Sequence, residues 1–368
     1  MKFKIKKNDF LNSFKKNNRI ITKNPIFPIL ENIIIKINQN ILQLTSSNLE
    51  IEINTYIDKE YFIFYKKGCI TISGKKILNI CRNIPNNKEL YFQLINKKMY
   101  IKISNSLFKL NVTSHKNFPI FQKFTNSKIF FISQKILKEI ILLTHFSIAR
   151  NDIRNSLNGM LFEYKNNYLY GVTTDGHRLS IYKVNLNLNT STFSIIINRK
   201  SILELSRIIL LNKDLIKIKI NNNNISFKIN KISLITKLIN SDFPNYNDIV
   251  LKKYKYCISI SKEKLKESLL KTSILCNTNF KGVSLNFSKN LLTITSKNQE
   301  DEESYDSFSI YYIYENISFS INVFYLLDVI NALNSKKINI LFNNPISSIQ
   351  IQSNLQKEIK YIIMPLKL

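Results

Sequence analysis

Phe130-Phe131-Ile132-Ser133-Gln134-Lys135-Ile136-Leu137-Lys138-Glu139-Ile140-Ile141 decides the fold, because it joins a short strand to an amphipathic helix and the same join is written twice more. Lys2-Phe3-Lys4-Ile5 runs into a helix expected over residues 8–16, and Cys257-Ile258-Ser259-Ile260 into one expected over 261–275. The middle helix is expected over 133–149. Apolar residues recur three and four apart in each copy: Phe10, Leu11 and Phe14, then Ile136, Leu137, Ile140 and Ile141, then Leu265, Leu269 and Leu270. That spacing marks a helix buried on one face only. Ser133 and Ser261 are placed to cap their helices, with Asn8 in that role in the first copy.

Outward from each join, two strands meet through a tight polar turn: 33–37 with 41–45 across Asn38-Gln39-Asn40, 160–164 with 168–172 across Lys165-Asn166-Asn167, and 283–287 with 291–295 across Ser288-Lys289-Asn290. A second helix is expected at 75–84, 200–211 and 322–334. A strand meander then closes each copy near Phe118-Pro119, Phe243-Pro244 and Met364-Pro365. The spacing of these prolines averages about 123 residues, a third of the chain, which means repeated domains rather than a solenoid of ~20–45-residue units. The expected class is α+β: three repeated domains, 1–125, 126–252 and 253–368, each with two helices packed on antiparallel sheets. Sheet edges left open at the ends of such a chain call for a neighbour.

Composition excludes several functions. The N-terminus alternates charged and apolar residues and has no signal-peptide core, and no run approaches the ~20 apolar residues of a spanning helix, so a soluble cytoplasmic protein is expected. Cys69, Cys81, Cys257 and Cys276 have no C-x-x-C spacing, and His115, His145 and His177 lie far apart. No metal, cofactor or disulfide is expected from them, and the thiols read as reduced and mostly buried. The formal net charge of +29 suggests nucleic acid. However, the Lys, Asn and Ile content, with Ala only at positions 149 and 332, fits the codons of an AT-biased genome, so charge alone does not establish a DNA surface. Asp175-Gly176-His177-Arg178 places a carboxylate, an imidazole and a guanidinium together, but no nucleophile or orienting group of known pattern accompanies them. No enzyme is expected.

The strings Pro25-Ile26-Phe27-Pro28-Ile29-Leu30-Glu31-Asn32, Leu157-Asn158-Gly159-Met160-Leu161-Phe162-Glu163, Thr173-Thr174-Asp175-Gly176-His177-Arg178-Leu179, Phe243-Pro244-Asn245-Tyr246 and Met364-Pro365-Leu366-Lys367-Leu368 occur in one order from end to end. In that order the sequence resembles the bacterial DNA polymerase III β subunit family, the β sliding clamps. The resemblance implies a processivity factor: a head-to-tail homodimer forming a six-domain ring on duplex DNA, of which this chain is half. It also implies sequence-independent DNA contact, and docking of the polymerase III catalytic subunit and clamp loader through a peptide cleft. A non-topological double-stranded-DNA-binding protein is the alternative.

By the same resemblance the cleft comprises Leu157, Thr174, Gly176, His177, Arg178, Leu179, Pro244, Ile249, Ile346, Ser348, Met364, Pro365 and Leu366. DNA contact falls to Lys23, Lys75, Lys76, Arg82, Asn151, Arg199 and Lys200. The dimer interface joins the basic Lys97, Lys98, Lys102 and Lys109 around Phe108 to the acidic run Glu300, Asp301, Glu302 and Glu303, with Ile274 and Leu275 at its apolar centre. Two departures from the family pattern stand out. Asn247-Asp248 follow Tyr246 where basic residues are common, and Lys367 replaces an Arg, losing a planar two-point donor.

Overall fold

One element order is laid down three times along the chain. The computed structural model describes the 368 residues except Lys123, Leu251, Lys252, Thr278, Asn279, Lys367 and Leu368, so the Lys367 departure lies outside the described residues. The first copy runs β1 (Lys2–Lys6), α1 (Lys7–Asn18), β2 (Asn32–Ile37), β3 (Ile41–Ser47), β4 (Ile51–Asp58), β5 (Phe62–Lys66), β6 (Gly68–Ser73), α2 (Gly74–Arg82), β7 (Glu89–Ile95), β8 (Lys98–Ile103) and β9 (Ser106–Asn111). The second runs β10 (Lys128–Ser133), α3 (Gln134–Thr144), β11 (Gly159–Lys165), β12 (Tyr168–Thr174), β13 (Arg178–Asn185), β14 (Phe193–Asn198), α4 (Arg199–Ile208), β15 (Leu215–Ile220), β16 (Asn224–Ile229) and β17 (Ile232–Ile239). The third runs β18 (Tyr256–Ser261), α5 (Lys262–Thr272), β19 (Gly282–Ser288), β20 (Leu291–Lys297), β21 (Glu303–Ser309), β22 (Ile317–Asn322), α6 (Val323–Ala332), β23 (Lys337–Phe342), β24 (Ile349–Ser353) and β25 (Gln356–Ile363). The extra strand β5 has no counterpart in the later copies.

The capping expectation needs correction. Asn8 lies inside α1, whose N-cap position is Lys6, and Ser261 occupies its cap position without a side-chain bond. The opening helices instead begin on a long-range backbone bond. The amide of Lys7 donates to Lys88 O (2.8 Å), Gln134 to Asp214 O (2.8 Å) and Lys262 to Lys336 O (2.9 Å). Each loop carbonyl satisfies one of the four amides that a helix start leaves unpaired. The second helices are the capped ones: Ser73 accepts from the amide of Lys76, Asn198 from that of Ser201, and Asn322 from those of Phe324 and Tyr325.

Two of the opening helices, α3 and α5, stop earlier than expected, whereas α1 runs on to Asn18. α3 ends at Thr144 and α5 at Thr272, each followed by a 3-10 turn, His145–Ser147 and Ser273–Leu275. At both ends a threonine hydroxyl turns back onto the helix, Thr144 to Ile140 O (2.6 Å) and Thr272 to Ser268 O (2.9 Å). Such back-bonding competes with further helical turns.

By contacts the chain divides into two units, Met1–Lys135 with Arg207–Leu238, and Ile136–Ser206 with Ile239–Leu368. The cut crosses the sequence repeat because strand pairing joins one copy to the next. In the first unit β4 pairs antiparallel with β17, extending β6-β2-β3-β4 into β17-β16-β15-β10. In the second unit β13 pairs antiparallel with β25, extending β14-β11-β12-β13 into β25-β24-β23-β18. Among the described residues, the order β5-β1-β7-β8-β9 ends on β9 and β21-β20-β19-β22 begins on β21, so each of these strands has one strand neighbour and an open edge.

The helices bury one stripe against these sheets. In the first unit Phe3 stacks on Phe92 (4.6 Å), which also meets Phe10 (5.2 Å), and in the second Phe287 meets Tyr312 and Phe319. All of these rings are buried, each contributing about 1.5–3 kcal/mol of transfer free energy for such a side chain.

Candidate functional site

Three strand ends gather most of the expected cleft. β13 starts at Arg178, β25 ends at Ile363 and β24 starts at Ile349, and these residues sit side by side: Arg178 pairs with Ile363, and Ile363 with Ile349. The residues just beyond those ends therefore share one rim: Gly176 and His177 before β13, Met364 and Pro365 after β25, and Ile346 and Ser348 before β24. The amide of Met364 donates to His177 O (2.9 Å), which ties two of the three segments. One strand pair inward, Leu179 faces Ile362 and packs in a cluster with Tyr246, Phe243 and Val250, which brings the Pro244 segment alongside.

Burial separates these residues into two groups. Leu157 and Leu179 are core, 1% and 3% exposed, and support the rim from beneath. Ile346 (78%), Met364 (44%) and Ile249 (42%) present apolar side chains to solvent, and Pro244 is exposed. Leu366 donates its amide to Ser320 O (2.7 Å), which fixes the chain beyond Met364.

The turn before β13 has a specific construction. Asp175 accepts the amides of His177 and Arg178, Thr174 Oγ1 donates to Arg178 O, and Gly176 takes φ +91°. A Cβ at Gly176 would lie 2.8 Å from Arg154 Nη2, so glycine meets both a left-handed backbone and a close guanidinium. Arg154 is held by Asp152 (3.0 Å), whose carboxyl falls to about 2 through the Arg154 side-chain bond. Arg154 was not legible in the sequence, since nothing local marks its approach to Gly176.

Arg178 is engaged inward. Its guanidinium bonds Asp175 (2.9 Å), Asp328 (2.7 Å) and the carbonyl of Phe146, and lies 4.3 Å over the Tyr325 ring. It braces the rim through α6. The catalytic alternative fails on this geometry, because Asp175 is bound to Arg178 and to backbone amides, and the exposed His177 has neither as a proton relay. Among the described residues no group of three or more His, Cys, Asp and Glu is placed to hold a metal. The four cysteines are unpaired, but only Cys81 is buried: Cys69 and Cys276 are half-buried and Cys257 is exposed, against the expectation of mostly buried thiols. Among the described residues no helix is long and apolar enough to cross a membrane.

The helix faces carry the expected basic residues unevenly. On α2 the buried stripe is Ile77, Leu78 and Cys81, and the opposite face exposes Lys75, Lys76, Asn79 and Arg82 without an acidic residue. Lys23 and Asn151 are exposed, the latter at φ +58°. On α4 Lys200 is exposed while Arg199 is half-buried and donates to Ile148 O (2.8 Å). At the start of α6 the position matching Lys75 and Lys200 is Phe324, and α6 has no Lys or Arg. On the two open edges, Lys109 lies in β9 and Glu303 opens β21. Phe108 is half-buried against the first-unit core, while Ile274 is 78% exposed and Leu275 half-buried. Part of the acidic run is already paired: Lys297 holds Asp301 (2.7 Å) and Glu303 (3.4 Å), and Asn298 Nδ2 donates to Glu302.

Family models cover the repeat copy by copy: the N-terminal domain of the DNA polymerase III beta subunit matches residues 1–122, the central domain 131–245 and the C-terminal domain 248–367. The chain belongs to that family, the β sliding clamps. It is 43% identical over the full length of both chains to the beta sliding clamp of Buchnera aphidicola from Rhopalosiphum padi, and 30% identical, again end to end, to that of Escherichia coli K12. A crystal structure of the Pseudomonas aeruginosa sliding clamp bound to griselimycin superposes with a TM-score of 0.95 at 27% identity, covering both chains completely. The three-domain α+β architecture and the processivity role in DNA replication, with no catalysis of its own, follow from membership. So do DNA and DNA polymerase as partners in general.

Proposed function

We propose that two copies of this chain close head-to-tail through β9 of one and β21 of the other, and that the ring slides on duplex DNA in the cytoplasm. The supporting observation is the strand pairing at the two internal junctions. The third hairpin strand of one copy pairs with the last strand of the next, β4 with β17 and β13 with β25, and the corresponding strands left over are β21 and β9. A heterologous contact of this kind closes when the rotation returns to its start.

The junction register carries over. Ile53, opposite Ser46 in its hairpin, pairs with Leu234, which faces Phe227 two places from the β16–β17 turn. The matching residues are Ser304, opposite Ser296, and Phe108, opposite Ile101. Ser304 then faces the partner's β9 at the Phe108 position, and Glu303 faces the Lys109 position. Glu300, Asp301 and Glu302 meet Lys97, Lys98 and Lys102 more loosely, guiding encounter more than adding affinity. Ile274 and Leu275 cover the apolar side around Phe108.

In this reading the domains are 1–125, 126–252 and 253–368, and the rim of Gly176, His177, Ile346, Met364 and their neighbours receives apolar anchors of peptides from the polymerase III catalytic subunit and clamp loader. Lys23, Lys75, Lys76, Arg82, Asn151, Arg199 and Lys200 contact phosphates without reading sequence. The test loads the protein on nicked circular DNA with a clamp loader, linearises the circles and measures retention. Retention on circles that vanishes on linearisation supports the ring; equal retention on both supports non-topological binding instead.

A further inference from the structure

We infer that the junction between β4 and β17 is a second peptide-docking cleft, which takes a short partner segment bearing an apolar side chain next to a carboxylate. The inference rests on the reading of the β13–β25 rim as a peptide cleft.

The two junctions are built alike. Asn48 accepts the amides of Glu50 and Ile51 as Asp175 accepts those of His177 and Arg178. Leu49 takes φ +73° where Gly176 takes +91°. The amide of Lys237 donates to Glu50 O (3.0 Å) as that of Met364 donates to His177 O (2.9 Å). Pro119, in Phe118-Pro119, matches Pro244, in Phe243-Pro244.

These matching positions line a cavity of about 270 Å³, near the lower end of the ~300–1,000 Å³ typical of ligand pockets. Its apolar wall is Leu49, Pro119, Ile120 and Phe121, and Ile120 is 62% exposed. The wall is fixed from behind, since the amide of Phe121 donates to Glu52 Oε2 (2.7 Å), a buried carboxylate also bound by Asn54. A leucine is held at a left-handed backbone where glycine is favoured, so the turn keeps an apolar side chain at a conformational cost.

One feature specifies the occupant. Among the described residues Lys237 is the one charged side chain of the lining, and it is exposed, so it suits a carboxylate. At the β13–β25 rim the position of Lys237 is held by Met364. The two clefts therefore share a backbone and differ at this position, where Lys237 gives the β4–β17 site a contact for a carboxylate.

The test is a fluorine NMR titration of acetyl-Leu-Phe-Asp, carrying a fluorinated Phe, into the full-length chain. Wild type is compared with Ile120→Asp, Lys237→Glu and Met364→Asp, with thermal melts confirming that these exposed substitutions leave the fold intact. Two separable binding events are expected, one weakened at least ten-fold by Ile120→Asp and by Lys237→Glu, the other only by Met364→Asp. Binding that Met364→Asp alone weakens overturns the second cleft and leaves the first standing. Binding that only Ile120→Asp and Lys237→Glu weaken supports the second cleft and sinks the rim reading. Absence of binding to wild type overturns both for this class of peptide.

Discussion

Ser296 Oγ donates to the carbonyl of Thr272 at 2.7 Å, joining a hairpin strand to the last turn of the helix that opens the same repeat. Thr173 does the same to Thr144 (2.5 Å) and Ser46 to Asn17 (2.9 Å). Carbonyls in a last helical turn have no partner within the helix, and these lie in the buried interior. Thr173→Val keeps the side-chain shape and removes the donor, so an orphaned buried acceptor should cost about 1–3 kcal/mol. Urea denaturation should show that loss, with Thr173→Ser recovering most of it. An unchanged midpoint for the valine variant would mean the carbonyl is satisfied in another way.

Arg178 offers a sharper contrast between charge and shape. Lysine in its place keeps the charge but cannot span Asp175, Asp328 and the Phe146 carbonyl, and loses the planar stack on Tyr325. Arg178→Lys should destabilise the second unit by about 1.5–3 kcal/mol, the range for hydrogen bonds to charged groups. Because Arg178 braces the rim, peptide affinity should fall with it. A variant that melts like wild type but loses peptide would move Arg178 from brace to direct contact.

The repeat, and with it the six helices and their hairpins, was legible because apolar spacing and turn residues are local signals. The helix start after Ser261 was legible; that of α1 was not, because the amide of Lys7 is satisfied by Lys88 O, a carbonyl remote in sequence. The inward role of Arg178 was hidden for the same reason, since Asp328 lies 150 positions away. The β4–β17 cavity left one trace in the sequence, the match of Phe118-Pro119 to Phe243-Pro244. Its meaning depends on strand pairing that no local pattern encodes.

The exposed face of α2 makes a quantitative claim about salt. If Lys75, Lys76 and Arg82 each neutralise a phosphate, replacing all three with Ala should flatten the plot of log affinity against log salt by about 0.9 for each phosphate no longer neutralised. Filter binding to short duplexes across a salt series reads the slope directly. An unaltered slope would remove this stripe from the DNA surface.

His145 sets a pH dependence. Burial lowers its pKa below the ordinary histidine value, with Arg199 nearby acting in the same direction, against the raising effect of its bond to Ile141 O. The unfolded chain then takes up a proton more readily than the folded one. The stabilisation is complete above about pH 6.5 and is lost as pH falls through the lower folded value. Thermal melts at one fixed protein concentration should decline from pH 7 to pH 5, and His145→Gln should flatten part of that decline. Parallel curves for the two proteins would exclude His145 as the source.

The proposed register makes a charge exchange the decisive test of ring closure. Glu303 and the partner's Lys109 are expected to face each other on the joined edge, so Glu303→Lys places like charges opposite and Lys109→Glu does the same from the other side. Directly opposed like charges destabilise a strand pair. Each single variant should shift the chain toward monomer in light scattering at dilute concentration, and the effect should weaken at high salt. The double variant restores opposite charges in reverse order and should restore the dimer, which a merely misfolded edge would not do. Glu303 also meets Lys297 within its own chain (3.4 Å), so Glu303→Lys has a second cost there. For that reason recovery in the double variant, rather than loss in either single one, is the informative result, and a double variant that stays monomeric would rule out this register.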